Sequence, residues 1–227
     1  MKLPISKRLL CCAELVPPCG TVADVGTDHG YLGVYLLRAG RCGRVIAADL
    51  REKPLASARA NAALFAVEER MSFVLSDGLH NFEAGSFDTL VLAGMGGDLI
   101  TRILADAPWL AGGPYTLILQ PQSAANDLRR WLGEQAWSIH RERLVRDGRF
   151  LYAVMDVRPG QGRALSPGEQ YLSPALRREG DPLFSEYLAR VRRALELTLA
   201  GIDRSRDPAD RARSVYYREA LEEVSTL

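Results

Sequence analysis

The sequence predicts an α/β fold, a seven-stranded and largely parallel sheet followed by a small all-helical unit. Three observations predict it. From Gly20 onward, short apolar runs alternate with longer stretches of helical period, the pattern of strands joined by crossover helices. The last two runs have little between them but "RDGR", so they pair as an antiparallel hairpin at one edge of the sheet. Beyond a Gly/Pro-rich segment at residues 159–168, only helical patterns remain.

Each element follows in order. "SKRLLCCAELV" predicts an amphipathic helix stopped by Pro17 and Pro18. The strands are "TVADV", "RVIAAD", "MSFVLS", "FDTLVLA", "YTLILQ", "WSIHRERLV" and "FLYAVMDV". Between them, "YLGVYLLRAG", "KPLASARANAALFA", "GDLITRILADAPWL" and "SAANDLRRWLGEQA" carry apolar residues at three- and four-residue steps and form the crossover helices. Seven strands ending in an antiparallel hairpin are the layout of the Rossmann-like class I methyltransferase sheet. The tail holds three helix starts, "SPGE", "DPLF" and "DPAD", each with Ser or Asp at the N-cap and Pro at the first helical position. Ser166 with Glu169 also fits a capping box. Phe184, Leu188, Val191, Leu195, Thr198 and Ile202 then make a narrow apolar seam, which predicts a helical pair. The expected division is residues 1–160 for the sheet domain and 161–227 for the helical one.

Composition narrows the function classes. A chain of 227 residues, 47% hydrophobic, is ample for a buried core. Its formal charge of +1 gives no global pull toward nucleic acid, so such a partner needs a local patch. In the tail, "LRRE", "ARVRRA" and "DRSRDPADRARS" suggest one, yet arginines and acidic residues are equal in number from Arg163 onward. A solvated helical surface and an RNA grip both remain open. "MKLPISKRLL" lacks a signal-peptide core and no apolar run reaches spanning length, which predicts a cytoplasmic protein with no membrane contact. Cys11, Cys12, Cys19 and Cys42 show no paired CxxC pattern, and His29, His80 and His140 are far apart. Reduced packing cysteines and no metal are expected.

The chemistry concentrates at strand ends. In "ADVGTDHGYLG" the first strand runs into a helix through Asp24, Gly26, Thr27, Asp28, His29 and Gly30. A dinucleotide loop would place glycine where Asp28 stands, so that backbone amides could approach a pyrophosphate. A carboxylate opposes that ligand and suits one carrying an amine or sulfonium cation, such as S-adenosylmethionine. Asp49, with Leu50, ends the second strand about twenty residues later, where an acidic side chain accepts from ribose hydroxyls. Asp77 and Gly78 end the third, in place to receive an adenine amine or simply to turn the chain. Ala93, Gly94, Met95, Gly96 and Gly97 follow the fourth strand with little bulk, which suits either a tight turn or the close approach of a flat base. Gln120 and Gln122 sit at the end of the fifth, as amides able to read a base edge or cap a turn.

In that order, "DVGTDHGYLG", "SDGL", "AGMGGDLITRIL", "LQPQSAANDLRRWL" and "RDGRFLYAV" resemble the bacterial tRNA (adenine22-N1)-methyltransferase family. The likeness covers nearly the whole chain, including "PLFSEYLARVRRALE" in the tail. It departs at Gly30 and Gly33, where the family more often has Ala and Pro, and around "ADLREKPLASARAN". The resemblance implies methylation of adenine N1 in tRNA with S-adenosylmethionine as donor. Asp28, His29, Gly94, Met95, Gly96, Gly97, Gln120 and Gln122 are then candidates to orient the base. Neutral adenine already presents a lone pair at N1, so alignment rather than a strong base would carry catalysis. That atom lies on the Watson–Crick edge and must be exposed. Tyr31 and Tyr152 are candidate stacking rings, and Arg8, Arg190 and Arg193 candidate RNA contacts. The alternatives are a class I methyltransferase with another substrate, or a non-catalytic RNA-binding protein retaining the fold. The number of subunits is not legible in the sequence.

Overall fold

The computed structural model describes residues 3–205 and 207–227. Helix α1 (Lys7–Leu15) begins where the Ser6 hydroxyl accepts from the Leu9 amide at 3.3 Å, and ends at Val16, ahead of the two prolines. It buries Cys11, Cys12, Ala13 and Leu15. All four cysteines are free thiols, and burial pushes Cys11 up to about 11 and Cys42 up to about 12.

The sheet has seven strands in the order β3-β2-β1-β4-β5-β7-β6. These are β1 (Cys19–Val25), β2 (Cys42–Asp49), β3 (Met71–Leu75), β4 (Thr89–Met95), β5 (Thr116–Pro121), β6 (Trp137–Asp147) and β7 (Phe150–Gln161). The first five are parallel, and β7 runs antiparallel to both β5 and β6. The hairpin turn falls at the expected place, with Gly148 at φ +59°. Both hairpin strands outrun the apolar pattern, because Trp137 pairs with Gln161 and draws part of the expected linker into the sheet.

Helices α2 (Tyr31–Arg38), α3 (Glu52–Leu64), α4 (Gly97–Ala105) and α5 (Ala125–Glu134) connect the strands. The stretch "GDLITRILADAPWL" is not one helix: α4 stops at Ala105 and Pro108–Gly112 form a separate 3-10 turn. Pro108 would lack the amide that a continuing helix needs. One apolar cluster, containing Val34, Leu36 and Ile118, packs α1 and α2 on one face. The other holds Leu117, Leu119, Ile100 and Leu128 and extends without a break to Leu172, Leu176, Leu195, Ala220 and Val224 of the tail.

The tail comprises α6 (Pro167–Tyr171), α7 (Pro174–Arg178), α8 (Phe184–Ile202) and α9 (Pro208–Ser225). The Ser166–Glu169 capping box forms in full. A fourth start of the same kind, Ser173–Pro174, opens α7: the Ser173 hydroxyl accepts from the Leu176 amide at 3.1 Å. At "DPLF" Asp181 caps the first turn, its carboxylate accepting from the Leu183 amide at 2.9 Å and also from the Leu144 amide of β6 at 2.8 Å, and the regular helix runs from Phe184. The buried seam of α8 is Val191, Leu195, Leu199 and Ile202. Thr198 instead turns its hydroxyl back to the Ala194 carbonyl. The long pair α8–α9 is thus joined by two short helices that pack on α5 and β6. Among the described residues no helix is long and apolar enough to cross a membrane.

Candidate active site

At the carboxyl ends of β1, β2 and β4 lies a cleft of about 340 Å³, lined by Asp24, Gly26, Thr27, Asp28, Asp49 and Gly94 among others. Open α/β sheets bind ligands at this rim. The β1–α2 loop is tied to β2 by the Gly26 and Thr27 amides, which both donate to the Ala48 carbonyl. Gly26 stands at φ +78° with the Met95 methyl where a Cβ would be, so a side chain there would be strained and would have to push Met95 aside. Asp28 is also left-handed, at φ +52°. That conformation leaves its carboxylate 71% exposed at the cleft.

Three carboxylates converge. Asp24 is 4% exposed and accepts from the Thr27 hydroxyl at 2.7 Å. Burial pushes its carboxyl up to about 6; Asp49 adds to this and the Thr27 bond opposes it. Asp49 accepts from the Arg51 amide at 3.0 Å and lies 3.4 Å from the Asp28 amide. The His29 ring stacks on Tyr31 at 5.7 Å, and its Nε2 is 3.7 Å from the Asp28 carboxylate. The His29 carbonyl accepts from the Asn61 amide group at 2.9 Å, which anchors the loop to α3.

Two arginines, Arg8 and Arg51, line this acidic cleft. Arg8, on α1, donates from Nη1 to Gln120 Oε1 at 2.6 Å, and the same oxygen accepts from the Gly94 amide at 3.0 Å. Gly94, at φ +83°, has Arg8 Nη1 3.2 Å from its missing Cβ, so a side chain there would displace the guanidinium. A floor of carboxylates with Arg8 on one wall fits a ligand that carries both an amine or sulfonium and a carboxylate, as S-adenosylmethionine does.

Several expected site residues take other positions. Gln120 is fully buried with its amide bonded to Arg8, Gly94 and the Pro121 carbonyl, so it holds Arg8 instead of reading a base edge. Arg8 lies inside the cleft and not on an outer RNA-facing surface. Met95 packs beneath Gly26, and Gly97 admits no Cβ because the Ala124 carbonyl oxygen lies 2.4 Å from where it would sit. Gly96 caps α4. These three shape the loop from behind. Gly30 is the N-cap of α2 and packs on Ala58. Leu50 is 63% exposed, Asp77 pairs with Arg102 at 3.6 Å, and Gly78 packs on Ile103, all outside the cleft. Asp24, Gly26, Thr27, Asp28, His29, Tyr31, Asp49, Ala93, Gly94 and Gln122 do come together around it.

Tyr152 and Arg190 line a second cleft of about 200 Å³, and Gln122 lines both. Arg193 is exposed on α8 and lines neither. Reading the sequence missed Arg51 and Asn61. Arg51 was findable from its place two residues after the strand-end Asp49; Asn61 carried no local signal.

The profile of a family described as "Methyltransferase domain" matches residues 5–155. The chain is 31% identical over 189 residues to the Bacillus subtilis tRNA (adenine(22)-N(1))-methyltransferase, covering 81% of this chain and 79% of that protein. A putative tRNA methyltransferase of Mycoplasma pneumoniae is 32% identical over 157 residues, 67% of this chain and 71% of the relative. Among solved structures, that of a Streptococcus pneumoniae putative tRNA (m1A22) methyltransferase in complex with S-adenosyl-L-methionine superposes with a TM-score of 0.80 at 31% identity, covering 96% of this chain and 99% of that one. The Bacillus subtilis m1A22 tRNA methyltransferase structure gives a TM-score of 0.86 at 26% identity over 99% of each chain.

Proposed function

The chain belongs to the tRNA (adenine22-N1)-methyltransferase family, and from that premise we propose that it methylates N1 of adenine 22 in tRNA with S-adenosylmethionine. The observation that carries this reading is the acidic cleft with Arg8 on its wall and the bare backbone of Gly94 at its mouth. When bound, S-adenosylmethionine supplies an electrophilic methyl group on a sulfonium. Asp24, Asp28 and Asp49 would hold the donor's amine and ribose hydroxyls, and Arg8, held by Gln120, its carboxylate.

No residue has to remove a proton from N1, whose lone pair is free in neutral adenine. Methyl transfer to that lone pair would leave a positive charge on the base. Carboxylates lining the cleft stabilise that charge on either side of the transfer. Gln122 and Asp28, exposed at the rim, would orient the base, and the Tyr31 ring with His29 stacked on it borders the same opening. Residues 161–227 form the proposed tRNA-gripping unit. Arg190 and Arg193 support this, both exposed on α8 and in no ion pair among the described residues. A tRNA substrate implies work in the cytoplasm.

The direct test is methylation of an unmodified tRNA transcript, with the product mapped by nuclease digestion and mass spectrometry. One 1-methyladenosine is expected, lost when adenine 22 of the transcript is replaced by guanine; a product without 1-methyladenosine overturns the reading. Arg8→Gln should raise the donor's Kd by about tenfold or more in calorimetry, the loss of one charge-assisted contact. An unchanged Kd would take Arg8 out of the donor site.

A further inference from the structure

Strand β7 outruns its neighbour. Its register with β5 ends at Met155 opposite Leu119, whereas its pairing with β6 continues to Phe150 opposite Asp147. Residues 150–154 therefore have a partner strand on one side only, at the carboxyl end of β5 and on the same rim as the donor cleft. The second cleft fills this gap, walled by Tyr152, Tyr187 and Arg190 and sharing Gln122 with the first. Phe150 and Tyr152, two residues apart, project from one face of β7, with ring centroids 5.9 Å apart. Phe150 is 45% exposed and carries the Arg149 guanidinium 4.9 Å from its ring centroid. Arg149 and Arg190 stand in no ion pair among the described residues, and Arg190 makes only a long 3.5 Å bond to the Leu151 carbonyl.

We infer that this strip is a stacking subsite for the unpaired nucleotides beside the target adenine, with bases on Tyr152 and Phe150 and phosphates against Arg190 and Arg149. The inference rests on the tRNA reading above. An A-form duplex offers phosphates and 2′-hydroxyls but hides its base faces, so exposed rings gain little from it. Single strands offer those faces, and aromatic side chains flanked by arginines are what such strands bind. Extruding an adenine to free its N1 also strips a stacking partner from each neighbour, and a ring next to the active cleft restores it. Gln122, common to both clefts, is where target and neighbour part. Stacking does not discriminate bases strongly, so the strip holds an opened loop by shape and charge.

The test uses the full chain with S-adenosylhomocysteine and tRNA transcripts carrying 2-aminopurine at the 5′ or 3′ neighbour of the target adenine. Native protein should quench at least one of them. Tyr152→Ala should lose the quench and raise the tRNA Kd by about tenfold, and Tyr152→Phe should keep both. Phe150→Ala, at an exposed position, should weaken tRNA binding without altering the donor's Kd by calorimetry. Quenching retained and tRNA affinity within twofold of native in the Phe150→Ala/Tyr152→Ala protein would overturn the inference while leaving the methyltransferase reading intact. Native protein that forms no 1-methyladenosine overturns both.

Discussion

Arg129→Met should lower folding stability by about 3–5 kcal/mol, the cost of stripping one partner from a buried ion pair. Arg129 and Glu142 are 1% and 0% exposed. The guanidinium donates from Nε to Glu142 at 3.1 Å, from Nη1 to the Gln170 carbonyl at 3.0 Å and from Nη2 to the Tyr187 hydroxyl at 3.4 Å. Ser173, the cap of α7, donates its hydroxyl to the same Glu142 carboxylate. One network thus joins α5 and β6 of the sheet to α6, α7 and α8 of the tail. Burial alone would favour the neutral guanidine, but Glu142 outweighs it and keeps the charge. Without Arg129 the buried Glu142 carboxylate keeps the Ser173 hydroxyl but loses its charge partner. Urea unfolding followed by circular dichroism measures the loss, and the donor's Kd in native buffer should be unchanged because the network lies outside the donor cleft. Arg129→Met/Glu142→Leu should recover much of the stability, since two apolar groups leave no orphaned charge. A single-variant loss below about 1 kcal/mol would show that the network does not fasten the tail.

Local chemistry made most of the fold legible. The hairpin follows from Gly148 between two apolar runs, and α6 from Ser166 and Glu169, because turn and cap signals act within four residues. Ser173–Pro174 carried the same signal and was overlooked among its three companions. Asp181 was readable as the cap of the first turn at α8, which it is, but its second bond, to Leu144 across the fold, carried no local signal.

The site divides along the same line. The loop carboxylates were readable because Asp28 replaces a residue that a phosphate ligand needs. Arg8 and Gln120 were not, since they are 112 residues apart and their bond is what turns Arg8 inward. A glycine-rich run likewise does not say which glycine faces a ligand. Gly94 does, and Gly97 faces the backbone of the next loop.

Donor binding should weaken by about tenfold as pH falls from 7.5 to 5, and Asp24→Asn should remove that dependence. The Asp24 carboxyl is pushed up to about 6, so a cationic donor, which favours the ionised form, competes with a proton over this window. At one unit below the folded value, about nine carboxyls in ten are protonated, which is the tenfold. The same shift acts on folding with the opposite preference. Because the folded value lies above the ordinary 3.8, the neutral carboxyl favours the folded chain below about pH 4, and that stabilisation is lost as pH rises through about 6. At neutral pH the donor-free protein therefore carries a cost of order 3 kcal/mol, which a bound cation offsets. Asparagine has the same shape and can still accept from Thr27, so Asp24→Asn should raise the melting temperature of the donor-free protein at pH 7.5 while weakening the donor at that pH. Asp28, His29 and Asp49 also line the cleft and are untouched in this variant. A pH dependence that survives Asp24→Asn would show that Asp24 is not the group that competes with the donor; a donor-free protein that melts lower would show that the Asp24 charge supports the fold instead of opposing it.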